Sequence, residues 1–220
     1  LTIALLISLF WGLILIVFAE PILQIYKLDP EITSKAVNYL RIVGTAFPFI
    51  FLSASFTGIY NASGQSKVPF IISGIGLLMN MLLDPLFIFG FGWGTEGAAL
   101  ATWLSQGIVL LLFIYRLKKR REILGGFKFF TKLESRFVKR ILFLGLPAAI
   151  LNTLFSIINL FMARTASQYG GHIGLMTLTA GGQLEAIAWN TSQGFSTALS
   201  AFVAQNYASG KNDRVLGAYY

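Results

Sequence analysis

The chain has 220 residues, 55% of them hydrophobic and 12% charged, with a mean hydropathy of +0.71 and a net charge of +8. A soluble domain carries about twice that charged fraction, so the composition argues against a water-soluble fold. There is no cysteine and a single histidine, His172, which excludes a disulfide framework or thiolate metal site and leaves little for histidine chemistry.

The positive charge is concentrated. Between Arg116 and Arg140 ten Lys/Arg stand against Glu122 and Glu134, and the remaining seven basic residues balance the remaining seven acids. One basic loop in an apolar chain reads as a cytoplasmic membrane loop. Nucleic acid is not expected as a partner, because it would need a folded basic face outside the bilayer and none is evident.

Six apolar spans are predicted in an all-α, polytopic transmembrane bundle. The first, 1–19, is uncharged and reads as a membrane helix rather than a signal peptide, which suggests an internal piece of a longer protein. A polar connection, 20–36, contains Pro21, Pro30, Asp29 and Glu31. The second span, 37–60, holds Arg41 near its start and Pro48 inside, and a turn-rich loop, 61–67, follows.

The third span, 68–91, has Asp84 as its only charge. A carboxylate inside a membrane helix is a functional candidate by default. Asn80 lies one turn before it on the same face. Pro85 cannot donate to the Met81 carbonyl, so amide, carboxylate and bare carbonyl oxygens are offered together. Oxygen sets of this kind suit hard cations and protons. The alternative is that Asp84 only pairs with Arg41 or another helix as structural glue.

Gly90, Gly92, Gly94 and Gly97, with Glu96, make a short connection to the fourth span, 98–115. On that returning helix Thr102 stands roughly 6 Å below the turn, against roughly 10 Å for Asp84 and roughly 16 Å for Asn80 at 1.5 Å per residue. The three are therefore expected to converge, with Gln106 one turn deeper than Thr102 on the same face. After the basic loop, 116–140, come a fifth span, 141–163, with Pro147 in its first turns, and a sixth, 175–204. The sixth is unusually polar, and its Gln183 and Glu185 are candidates, with Gln106, for a substrate or ion path. With the basic loop inside, thirteen basic residues lie inside and four outside (Lys27, Lys35, Arg41, Arg164), which fixes the predicted orientation.

Several stretches, taken in order, resemble the multidrug and toxic compound extrusion (MATE) transporters over nearly the whole chain. They are Ala19-Glu20-Pro21, Tyr39-Leu40-Arg41-Ile42, Gly64 before Pro69, and Asn80…Asp84-Pro85. Then come Gly97-Ala98-Ala99…Ala101-Thr102, Gly145-Leu146-Pro147 and Ala204-Gln205-Asn206…Gly210-Lys211. The resemblance implies the third to eighth of twelve helices in a two-lobe transporter. Residues 1–115 would close the first lobe, 116–140 would join the lobes, and 141–220 would open the second.

It also implies that Asn80, Asp84 and Thr102 form part of a first-lobe cation site, whose further carboxylate lies on a helix outside these residues. The sequence departs from some sodium-coupled members at Asn152-Thr153-Leu154-Phe155-Ser156, which holds no acid where they carry a glutamate. The implied function is export of amphipathic organic compounds, driven by Na⁺ or H⁺ as coupling ion. No catalytic residue or cofactor is implied, and the partners expected are a small amphipathic substrate and membrane lipid. The full-length protein is expected to be a monomer in the plasma (inner) membrane, with 116–140 cytoplasmic. The alternative is a flippase for a lipid-linked oligosaccharide, which would be expected to use more interior basic residues than Arg41. An intramembrane enzyme would need a histidine or paired carboxylates within the spans, and neither is present.

Overall fold

The computed structural model describes residues 1–26, 29–119 and 133–218, and among these there is no strand. Five of its helices are apolar and long enough to cross a membrane.

Helix α1 (Thr2–Gln24) is kinked at Phe18, where φ −102° and ψ 16° leave the helical region. The cause is Pro21, which has no N–H for the Val17 carbonyl. Helix α2 (Pro30–Ala62) begins seven residues before the predicted span. Hydropathy misses this start, but the backbone chemistry supports it. Asp29 precedes the helix, and Pro30 occupies the first position, where a missing N–H costs nothing. Glu31, in the first turn, pairs with Lys35 at 2.7 Å. α1 and α2 cross closely at Gly12 and Gly44; a Cβ on Gly12 would stand 2.7 Å from the Gly44 carbonyl oxygen.

Helix α3 (Lys67–Pro85) continues as a wide π-helical turn (Leu86–Gly90), in which the Phe91 amide reaches back five residues to Leu86 at 3.0 Å. Helix α4 (Gly94–Lys119) starts four residues before the predicted span and runs four past it. Arg116, Lys118 and Lys119 lie in its last turn, where positive charge complements the helix C-terminus. The next helix begins at Ser135, so the basic stretch predicted as a loop over 116–140 is helical at both ends. Its middle, 120–132, lies outside the described residues, as does Lys27.

Helix α5 (Ser135–Ala208) holds both the fifth and sixth predicted spans, interrupted at Gly171 with φ +57° and ψ −148°. Ala166 and Gly174 would stand roughly 12 Å apart along a straight helix. Yet a Cβ on Gly174 would meet the Ala166 carbonyl oxygen at 2.5 Å, so the chain doubles back. The two arms, 135–170 and 172–208, are the two predicted spans. A short helix, α6 (Asn212–Gly217), follows.

The core lies between α2, α3 and α4. Phe56 and Tyr60 stack on Phe113, and Leu52, Ile72, Val109, Leu110 and Leu117 are buried around them. A smaller cluster, Ala19, Leu23 and Val37, joins α1 to the start of α2. None of the described residues of α5 is buried. Among the contacts of α5 with the rest of the chain, the Ser167 hydroxyl donates to the Tyr26 carbonyl at 3.2 Å, and the Gln205 amide donates to the Ala62 carbonyl at 3.4 Å.

Candidate functional site

Two glycines set the register of α3 against α4. Gly97 leaves only 2.8 Å between a hypothetical Cβ and the Phe87 carbonyl group, and Gly76 packs directly on the Val109 side chain. Levels 76 and 87 on α3 thus face levels near 109 and 97 on α4, an antiparallel pair. Interpolation puts Thr102 level with Leu82, between Asn80 and Asp84.

The face follows from a cavity of about 220 Å³, lined by Ser53 and Thr57 of α2, Ser73 and Gly76 of α3, and Gln106 and Val109 of α4. Asn80 stands seven residues beyond Ser73, two turns along the same face, and Asp84 is one turn further. Thr102 is one turn from Gln106 on its own helix. Ser73 and Gln106 thus share one cavity wall with α2, while the hydrogen bonds of the site join Asn80 to Asp84 and Thr102 to neither.

Within this stripe the Asn80 amide N–H donates to Asp84 Oδ1 at 3.3 Å, both residues being half-buried. That bond orients the amide and leaves its carbonyl oxygen pointing elsewhere. The Thr102 hydroxyl donates to the Ala98 carbonyl at 3.1 Å, so its lone pairs remain available as acceptors. Pro85 ends regular α-helical bonding beside the carboxylate, and the π turn begins at the next residue. Such turns recur at functional sites. The chemistry on offer is that of neutral oxygens around one carboxylate. It suits a monovalent cation or a proton, and among the described residues no group of three His, Asp or Glu competes with it.

The glue reading of Asp84 lacks its partner. Among the described residues the ion pair present is Lys35–Glu31. Arg41 lines a different cavity, with Ile16, Thr45, Leu100 and Trp103. Gln106 borders the 220 Å³ cavity near Asn80, whereas Gln183 and Glu185 are exposed on the second arm of α5 and line none of these cavities. The sequence reading missed Ser53, Thr57 and Ser73. Small hydroxyls in apolar helices carry little signal, although Ser73 lies seven residues before Asn80. It also missed that Glu96 accepts from the Asn38 amide at 2.7 Å, tying the starts of α2 and α4 together at the level of the glycine turn.

A second cavity, of about 710 Å³, opens between α2, α3 and the second arm of α5. Its walls include Thr57, Asn61, Ser73, Phe70, Thr197 and Gln205, neutral polar groups interleaved with apolar ones.

Residues 1–86 match the MatE family model. The chain is 30% identical over 226 residues to the probable multidrug resistance protein NorM of Thermotoga maritima, covering 96% of this chain and 47% of that protein. It is also 30% identical over 162 residues to the multidrug export protein MepA of Staphylococcus aureus, covering 69% of this chain and 36% of that one. The chain thus spans about half the length or less of the curated relatives it matches. Its fold resembles an inward-facing multidrug resistance MATE family transporter of the MOP superfamily, with a TM-score of 0.79 at 22% identity, over 99% of this chain and 50% of that one. A MOP superfamily transporter from Pyrococcus furiosus gives 0.78 at 25% identity, over 98% and 49%. Family match, relatives and fold together place the chain in the MATE family of integral membrane proteins.

Proposed function

We propose that the protein is a cation-coupled antiporter that exports amphipathic organic compounds, with Asp84 as the coupling carboxylate. The observation that carries this is a half-buried Asp84 inside an apolar helix, bonded to Asn80, with no cationic side chain paired to it among the described residues. The relatives' names point the same way for the substrate class. The 710 Å³ cavity is of a size that holds a drug-sized molecule, and its uncharged lining suits amphipathic rather than strongly ionic cargo. The flippase reading has less support, since the single arginine of α2 lines a separate cavity.

The coupling follows from charge. With its charge uncompensated, Asp84 favours the arrangement of helices that exposes it to water. Na⁺ or H⁺ arriving there, helped by Asn80, Thr102 and the Met81 carbonyl, cancels the charge and permits a closed arrangement. Substrate in the larger cavity favours the opposite arrangement. Each ligand shifts the balance only by its difference in affinity between the two. By the distribution of basic residues, the stretch 116–140 faces the cytoplasm of a plasma-membrane protein that acts as a monomer.

Asp84→Asn in the full-length protein tests this. The amide matches the protonated carboxyl in size but cannot exchange charge, so dye efflux from energised vesicles should fall to the vector background while thermal stability is kept. Efflux that survives the substitution removes Asp84 from the coupling.

A further inference from the structure

Ser53 is 6% exposed, and its hydroxyl has no hydrogen-bond partner among the described residues. Burying a hydroxyl without a partner costs about 1–3 kcal/mol on mutational scales, so such groups are normally satisfied by water when protein offers nothing. Three other serines of the bundle show the contrast. Ser8 donates to Leu5, Ser55 to Phe51 and Ser105 to Ala101, each to the carbonyl three or four residues earlier. Ser53 forgoes that bond and lines the 220 Å³ cavity with Thr57, Ser73 and Gln106. Hydroxyl and amide groups give water the two to four polar partners it needs, and the space holds several molecules.

Two of these residues also line the larger cavity. Thr57 and Ser73 belong to both walls, so the two spaces meet along that edge. At the other end, Gln106 lies one turn below Thr102, and the α3–α4 register sets its level about two residues from Asn80. Asp84 and Asn80 line neither cavity; by helix periodicity Asn80 stands two turns beyond Ser73 on the same face and Asp84 one turn further, which aligns the pair with the end of the cavity that Gln106 borders. At Ser73 and Thr57 the cavity opens into the space between α3 and α5. The surrounding positions, Ile50, Ala54, Gly76 and Val109, are apolar.

We propose that Ser53, Thr57, Ser73 and Gln106 line a water-filled passage that connects the Asp84–Asn80 pair with the larger cavity and carries the coupling ion or proton between them. Its ligand is water and a hydrated monovalent cation or proton; the passage holds no carboxylate of its own and conducts rather than binds. It rests on the reading of Asp84 as the coupling site, and its test is chosen to fail separately. The Asp84 end and the substrate space would then share water, which makes ion and substrate compete for one aqueous route.

The native chain has no cysteine, so single cysteines report cleanly. In a cysteine-free full-length background, Ser53→Cys and Gln106→Cys are exposed in membranes to aminoethyl methanethiosulfonate, a small cationic thiol reagent. Ser105→Cys is the comparison, being 2% exposed at a position whose hydroxyl is bonded in the helix. The two passage cysteines should react at least tenfold faster than Ser105→Cys, and reaction at either should stop efflux. Should Ser53→Cys fail to fold, Thr57→Cys takes its place. Passage cysteines as inert as Ser105→Cys overturn the passage, whatever Asp84→Asn does. Fast reaction that leaves efflux intact overturns its role in ion movement. Efflux surviving Asp84→Asn instead overturns the coupling reading, and leaves the reactivity ratio as it was.

Discussion

Substituting Gly97 by alanine puts a methyl group where the structure leaves none. The new Cβ would stand 2.8 Å from both the carbonyl carbon and the oxygen of Phe87, and 3.1 Å from its Cβ. Carbon contacts sit at about 3.5–4.0 Å, so the helices must part by roughly 0.7 Å. The obstacle is backbone in the π turn and cannot rotate aside. Overpacking of this kind costs about 1–3 kcal/mol, against a gain of about 0.5–1 kcal/mol from replacing glycine in a helix. A net loss of about 1–2 kcal/mol is expected. Gly107→Ala is the control: its Cβ would touch the Phe49 ring at an ordinary 3.7 Å, so only the gain of about 0.5–1 kcal/mol remains. Thermal unfolding of the full-length variants in detergent should show opposite signs. Because Gly97 fixes the level of Thr102 against Asn80 and Asp84, efflux by Gly97→Ala should also fall with Asp84 intact. A Gly97→Ala protein as stable as Gly107→Ala would refute the register on which the site is built.

Gly171→Ala should destabilise the full-length protein by about 1–3 kcal/mol in the same assay, because φ +57° with ψ −148° is a region open essentially to glycine. Thr102→Ser should retain efflux and Thr102→Ala should weaken cation dependence, read as a raised half-saturating cation concentration, since the hydroxyl oxygen is the group the site uses. Glu96→Ala should lower the melting temperature modestly, by the loss of one hydrogen bond to Asn38 worth about 1 kcal/mol, while Glu96→Gln should recover most of it. Cysteines placed within 120–132 should react with impermeant reagents only from the cytoplasmic side of intact cells; reaction from outside would invert the orientation.

The elements of this fold were legible where a single physical signal dominated. Apolar length located the helices, and the charge of Asp84 within such a run located the candidate site. Helix ends were harder, because hydropathy falls before helical bonding stops. At the start of α2 the Asp29-Pro30 pair marks the true boundary, and at the end of α4 Arg116, Lys118 and Lys119 extend the helix although they are charged. The reversal at Gly171 sits beside Gly170 in a stretch with several glycines, and composition does not say which of them takes a positive φ. The stripe from Ser73 to Asp84 was half legible: Asn80 and Asp84 stand out by spacing. The hydroxyls of Ser53 and Thr57 gain meaning only when three helices bring them to one cavity.

The attachment of α5 has a mechanical consequence. Its two arms are held to the rest of the chain by Ser167 at one end and Gln205 at the other, through side-chain bonds to the backbone of Tyr26 and Ala62. Each such bond is worth about 1 kcal/mol net, comparable to thermal agitation, whereas the aromatic stack of Phe56, Tyr60 and Phe113 clamps α2 to α4 over several turns. Stiffness is therefore unevenly distributed. A torque on the pair of arms would swing them as levers about the α1–α4 block long before it bent that block, and Gln205, at the rim of the larger cavity, is one of the two tethers that such a swing would load.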